Sequence, residues 1–197
     1  AGTHGPIDMP AGREVRDKAF LVPGGAIFVT RPVGESLGSR VYLWRDGAFT
    51  DLGETDSANS LEVGGRFAVW SDGTTLYRGD TQSGEVVAVS TAAGNIGNAV
   101  TADGTVVYWN DEAQIVRFRD GTAVVLTDDP SKDHVLPVAD GDQIVYSRQD
   151  PACCGPEPQR YEIVLIENGT SIVLRAPQEV IAQRQRDYQL ADGCAAF

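Results

Sequence analysis

The chain has 197 residues, 42% of them hydrophobic, which is enough to bury a sizeable core and is unlike a disordered segment. Sixteen Lys and Arg against 28 Asp and Glu give a net charge of -12, a surface that repels phosphate backbones and excludes nucleic acid as the main partner. No run of 18 apolar residues exists, so no transmembrane helix is expected.

Residues 1–14 read as an N-terminal extension, because Gly2, Gly5, Pro6, Pro10 and Gly12 suit strands poorly. From Val15 onward one pattern recurs: a short apolar strand, a turn ending in Gly, then a strand rich in β-branched and aromatic residues. The first copy is Phe20–Phe28 around Pro23-Gly24-Gly25, and a second strand pair follows, Arg40–Arg45 into Ala48–Leu52 across Asp46-Gly47. The second unit has Leu61–Trp70 around Gly64-Gly65, then Thr75–Arg78 into Val86–Ser90 across Ser83-Gly84. The third has Ala99–Trp109 around Asp103-Gly104, then Ile115–Arg119 into Thr122–Leu126 across Asp120-Gly121. The fourth has Leu136–Tyr146 around Asp140-Gly141, then Tyr161–Ile166 into Ser171–Leu174 across Asn168-Gly169. A fifth begins with Tyr188–Phe197 around Asp192-Gly193, and only Gln178–Gln185 has helical propensity.

The last turn glycines of the five copies (25, 65, 104, 141 and 193) lie 40, 39, 37 and 52 residues apart, the spacing of a repeat architecture. Asn-Gly and Asp-Gly accept the positive φ angles of tight hairpins. Four antiparallel strands per unit is a propeller blade, whereas a sandwich or closed barrel does not require the same four-strand unit to repeat. The fold class predicted is all-β: a β-propeller with blades over about 15–53, 54–91, 92–128 and 129–177 and a partial blade over 178–197. A blade with two strands exposes unpaired backbone groups. The chain is therefore expected to be part of a larger ring, completed by a second polypeptide piece or, alternatively, by a partner chain.

The runs Asn98–Trp109 and Asp133–Arg148, the latter followed by Tyr161–Leu165 and Asn168-Gly169-Thr170, resemble the repeats of TolB-like propellers, also described as WD40-like. The shared features are a polar start, a Pro or small residue, an Asp-Gly turn and a Val-Val-Tyr/Trp strand. The first two units depart from it, with Pro-Gly-Gly and Gly-Gly in place of Asp-Gly. The resemblance covers roughly Val15 to Phe197 and implies a fold more than a function, since members include periplasmic binding proteins and the propeller domains of peptidases and lyases.

Three cysteines are present: Cys153 and Cys154, adjacent in a proline-rich loop, and Cys194. They are disulfide candidates, with a structural bridge favoured over a redox-active vicinal pair. Zinc is disfavoured because His4 and His134 lie at no ligand spacing from them. Gly34-Glu35-Ser36-Leu37-Gly38 matches the nucleophile elbow in letters, but a strand rather than a helix follows, so Ser36 reads as a loop residue. In the connector 128–134, Asp128, Asp129 and Asp133 could hold a divalent cation and Asp133 could orient His134 as a base; a turn that caps backbone groups is favoured. Trp44, Trp70 and Trp109 read as core and rim packing.

In the propellers this chain resembles, the loops joining second to third strands share a face with the connections between blades. Two such loops are enlarged here, 31–39 and 148–160. Arg31, Glu35, Arg148, Glu157 and Arg160 are the exposed polar candidates for ligand binding, with His134 nearby. The expectation is an extracellular or periplasmic binding or scaffold module for a protein or carbohydrate, with no cofactor beyond that divalent cation and no catalysis of its own. An Ala-Gly-Thr start and a sole Met at position 9 suit a processed chain. The alternative is an enzyme: a metal-assisted propeller lyase or hydrolase, or the propeller of a peptidase whose catalytic part lies elsewhere.

Overall fold

A computed structural model describes residues 7–56, 60–91, 97–149, 160–179, 189–191 and 194–196. Every element among them is a β-strand. The first sheet takes β1 (Arg13–Val22), β2 (Gly25–Pro32), β3 (Arg40–Arg45) and β4 (Ala48–Glu54) in sequence order. The second takes β5 (Glu62–Gly64), β6 (Phe67–Ser71), β7 (Leu76–Asp80) and β8 (Val86–Ser90). The third takes β9 (Asn98–Val100), β10 (Val106–Trp109), β11 (Ile115–Arg119) and β12 (Thr122–Val125). The fourth takes β13 (Asp133–Asp140), β14 (Gln143–Gln149), β15 (Arg160–Glu167) and β16 (Thr170–Glu179). A two-stranded sheet follows, β17 (Gln189–Ala191) with β18 (Cys194–Ala196). Neighbouring strands in each sheet are antiparallel, and no closed barrel forms among the described residues.

Alternation along the second strand of each blade makes the sheets stack. Successive side chains of a strand point to opposite faces. Ala68 and Trp70 of β6 join Ile27, Val29, Val41 and Leu43 of the first blade in one core, while Phe67 and Val69 join Val100, Val106 and Tyr108 of the third. Val107 of β10 turns the other way and packs with Ile144, Tyr146 and Val164 of the fourth. Such strands are apolar on both faces and read as continuous hydrophobic runs: all five residues of β6 are buried. The first strands lie side by side, with β9 beside β5 and β13 and β17 beside β13. These are the inner strands of a propeller.

Arginines late in the third strands tie each blade to the next, at its third-to-fourth-strand loop from β3 and at its first hairpin from β7 and β11. Arg45 donates to the Thr81 and Gln82 carbonyls at 3.0 and 2.6 Å. Arg78 donates to the Gly104 carbonyl at 2.9 Å and lies over the rings of Phe67 and Phe118. Arg119 reaches Asp142 at 3.0 Å. In the fourth blade the equivalent end of β15 is Glu167, which accepts instead from Gln143 at 2.6 Å.

The turns follow their sequences with one exception. Asp46-Gly47, Asp120-Gly121 and Asn168-Gly169 all have positive φ at both residues, as a two-residue hairpin requires. Ser83-Gly84 does not form such a turn. There β7 ends at Asp80, whose carboxylate accepts the Gln82 N–H at 2.8 Å, and a five-residue loop, 81–85, is closed by Asp80 N–H to the Glu85 carbonyl at 2.9 Å. The helical propensity at Gln178–Gln185 is overridden where the structure describes it, since Gln178 and Glu179 pair with Tyr161 and Arg160 as the end of β16. Strand β1 also starts at Arg13, so Arg13 and Glu14 belong to the sheet.

Candidate functional site

Because every strand alternates in direction, one end of the stack carries the β2–β3, β6–β7, β10–β11 and β14–β15 loops, the connections between blades, and residues 7–12. Among the described connections, 33–39 has seven residues, whereas 72–75 has four and 110–114 five. Residues 150–159, with Cys153, Cys154 and Glu157, lie outside the described residues, as do the side chains of Arg160 and Cys194.

Buried polar groups lock these connections to the sheets. The Thr55 hydroxyl donates to the Ser71 carbonyl at 2.8 Å and lies 3.1 Å from the Ser60 hydroxyl. Asn98, 1% exposed, donates to the Ser60 carbonyl at 3.3 Å. Thr127 accepts the Ile115 N–H and donates to Gln114, both at 2.9 Å. The backbone N–H of His134 donates to the Ala113 carbonyl at 2.7 Å. In the β6–β7 loop, Asp72 accepts from the backbone of Thr74 and Thr75 and from the Tyr77 hydroxyl. Its partial burial opposes ionisation, yet those hydrogen bonds win and hold its pKa below the usual carboxylate range. These pairings satisfy backbone groups of the loops and fasten them to the sheets.

The sequence-derived candidates fall into three groups. Glu35 and the rest of 33–38 are exposed, with Val33 and Leu37 63% and 78% accessible. Arg31 and Arg148 are not free cations: Arg31 donates to Glu14 at 2.8 Å, and Arg148 donates to Glu162 at 2.7 Å, each with its direct cross-strand partner. His134 is 2% exposed, its ring 5.6 Å from that of Tyr146, and its Nδ1 has no hydrogen-bond partner. Burial pushes its pKa down, a hydrogen bond with Ala113 opposes this, and Arg148 adds to the depression. A neutral imidazole in a blade seam is the result.

Asp133 does not orient that ring. The two are consecutive residues of β13, so their side chains point to opposite faces. Asp128 and Asp129 are exposed, and Asp129 accepts from the backbone and hydroxyl of Ser131 at 3.0 and 2.5 Å, which lowers its pKa. Among the described residues no three of His, Cys, Asp and Glu converge as metal ligands would. Gly34–Gly38 is a loop leading into β3, with no helix behind Ser36. Trp70 is core: it is fully buried and stacked on Tyr77 at 6.0 Å.

Sequence reasoning missed the residue that shapes the enlarged loop. Arg13 donates to the Thr30 hydroxyl at 2.7 Å and the Gly38 carbonyl at 2.6 Å, and its guanidinium lies 5.8 Å from the Tyr42 ring centre. Its position in an apparent Gly/Pro-rich extension hid it. The charge of this end also emerges only in three dimensions. Asp8, Glu35, Glu54, Asp56, Asp111, Glu112, Asp128 and Asp129 are exposed, while Arg13, Arg31, Arg40, Lys132 and Arg148 are half-buried. Arg40 is bound to Asp51 at 2.7 Å and to Glu54 at 3.1 Å.

Four four-stranded antiparallel sheets stacked face to face, with their first strands adjacent, define a β-propeller. At the level of the fold the chain resembles TolB-like propellers. Among solved structures, a prolyl endopeptidase, from work on inter-domain dynamics in catalysis and specificity, matches with a TM-score of 0.54 and 12% identity over 91% of this chain and 30% of its own. TolB from Acinetobacter baumannii matches at 0.47 and 16% over 78% and 41%, and the calcium-binding protein regucalcin from Agrobacterium tumefaciens strain C58 at 0.42 and 18% over 74% and 56%. The chain thus spans less than two thirds of each of these structures. No protein-family model matches the sequence, and no curated protein matches it.

Proposed function

We propose that this propeller is a binding or scaffold module that takes a protein or carbohydrate ligand on its loop end. The observation that carries this reading is the combination of a rigid base and an elaborated surface. Buried Thr, Ser, Asn and Gln side chains fasten the connections to the sheets, and on that base sits an enlarged, ordered loop in an acidic setting. Loops fixed on a rigid scaffold are the usual carriers of recognition.

The reading includes an extracellular or periplasmic location, supported by the cysteine pair in a proline-rich loop, which an oxidising compartment would staple. Among the described residues no helix is long and apolar enough to cross a membrane. The test is binding to glycan and peptide arrays by the wild type and by two variants: one with residues 33–37 replaced by Gly and Ser, the other with Asp142→Asn at the opposite end. Binding lost only in the loop variant supports the proposal. Binding lost only in the Asp142 variant overturns it, as does turnover of a glycosidic or peptide substrate by the purified wild type.

A further inference from the structure

The 33–39 loop presents two exposed apolar side chains on a backbone held at both ends. Val33 and Leu37 are 63% and 78% exposed, on either side of Glu35. The loop that holds them is fixed at both ends. The Val33 N–H donates to the Gly12 carbonyl at 3.0 Å and the Glu35 N–H to the Pro32 carbonyl at 3.1 Å. At the other end Arg13 grips the Gly38 carbonyl at 2.6 Å, and Arg16 donates at 2.9 Å to the hydroxyl of Ser39, itself 4% exposed. Two exposed apolar side chains on a preorganised loop lose little conformational entropy on binding, which is the condition for an anchor point.

Charge selects the occupant. Glu35 forms no ion pair with a described residue, and every exposed charged residue at this end among the described residues is an acid. An anionic lipid surface or a nucleic acid is repelled there. A sugar is better served by an aromatic platform, and the loop has no aromatic residue. Other exposed apolar side chains among the described residues, Leu21 before the β1–β2 turn and Val124, Val125, Ile172 and Val173 on the outer strands of two blades, are not gathered on one fixed loop.

We infer that Val33, Glu35 and Leu37 form the anchor for a basic, apolar peptide segment of a partner protein: apolar side chains seat on Val33 and Leu37, and a flanking Lys or Arg meets Glu35. This rests on the loop-end binding proposed above and narrows it to one ligand class. The net charge of -12 steers such a segment in at long range.

The test uses the full chain against immobilised peptides of equal length in four patterns: Leu with Lys/Arg, Leu with Glu, Leu with Gln, and Ser with Lys/Arg. The wild type is expected to retain the Leu–Lys/Arg set preferentially. The double variant V33S/L37S, altered only at exposed positions, should weaken that binding by about tenfold or more. E35Q should weaken it by about threefold and flatten its salt dependence. A wild type that binds none of the peptides, or shows no preference for the Leu–Lys/Arg set, overturns the inference, and so does retention of that set by V33S/L37S. If peptide or glycan binding is lost in E112Q/D129N but not in V33S/L37S, the anchor is wrong while the loop-end reading stands. Loss only in D142N overturns both.

Discussion

Replacing Gly64 by Ala tests whether the blades are pressed together as closely at their inner strands as the structure shows. Gly64 ends β5 and pairs with Phe67; its φ is not in the left-handed region, so conformational freedom is not the reason for glycine here. A Cβ at this position would stand 2.0 Å from the Val100 carbonyl oxygen and 2.7 Å from the Val100 carbonyl carbon, on the neighbouring β9. Ordinary contacts between carbon atoms lie at about 3.5–4.0 Å. Both sides of the clash are backbone, so no rotamer relieves it, and the second and third blades must part by over roughly 1 Å. A gap of about 0.5–1 Å already forfeits a quarter to a half of a contact's attraction, and it would run through Phe67, Val69, Val100, Val106 and Tyr108. The opposing term is the gain of about 0.5–1 kcal/mol that Ala enjoys over Gly in a strand. Overpacking costs typically about 1–3 kcal/mol, and an unyielding backbone contact belongs at the top of that range, so the net loss should be about 2 kcal/mol or more. At about 2–4 °C per kcal/mol for a chain of this size, Tm falls by roughly 4–8 °C. Urea unfolding followed by tryptophan fluorescence reads this directly. A G64A protein within about 0.5 kcal/mol of wild type would refute the close approach of β5 and β9, since such a change is ordinary for an uncrowded surface site.

Three further outcomes are expected. His134 has a folded pKa below its ordinary value of about 6.5, so protons favour the unfolded chain. Stability from this group is complete above about pH 6.5 and falls as pH drops toward the folded pKa. His134→Gln should flatten the stability profile between about pH 7.5 and 5.5, and an unchanged slope would count against a buried neutral ring. Removing Arg78 takes away a hydrogen bond to Gly104 and a ring contact with Phe118 in the third blade, together with a ring contact with Phe67 in its own blade. R78A should cost roughly 1–2 kcal/mol, with a loss under about 0.3 kcal/mol contradicting the clasp. Trp70 is fully buried with its indole N–H unpartnered, so W70A should cost about 3–5 kcal/mol while W70F costs under about 1.5 kcal/mol. A W70F loss comparable to that of W70A would count against an indole N–H that contributes nothing.

The inner logic of the repeat was legible because it is local. A strand of alternating or continuous apolar residues and a Gly turn are set by neighbours in sequence, so β3, β8 and β11 fall on the residues that the pattern assigns them, Arg40–Arg45, Val86–Ser90 and Ile115–Arg119. The turn at 81–85 escaped because it is a five-residue loop in which the Asp80 carboxylate takes a backbone N–H, so Ser83-Gly84 is not the centre of a two-residue hairpin.

The candidate site was legible only in outline. The end of the molecule that bears it follows from strand count, and Glu35 is exposed as expected. Arg31 and Arg148 looked equally free in the sequence, but cross-strand register sets Glu14 beside one and Glu162 beside the other. His134 stands in a polar connector by composition and in a sealed seam by structure, because the third blade's β10–β11 turn closes over it.

The sequence by itself determined the strands, most of their turns, the repeat and therefore the propeller, since each depends on periodicity and backbone preference within a few residues. Only the tertiary structure decided which faces meet, which charges are spent in pairs and which side chains remain for a ligand. Those depend on register and on packing between blades about 40 residues apart in the chain.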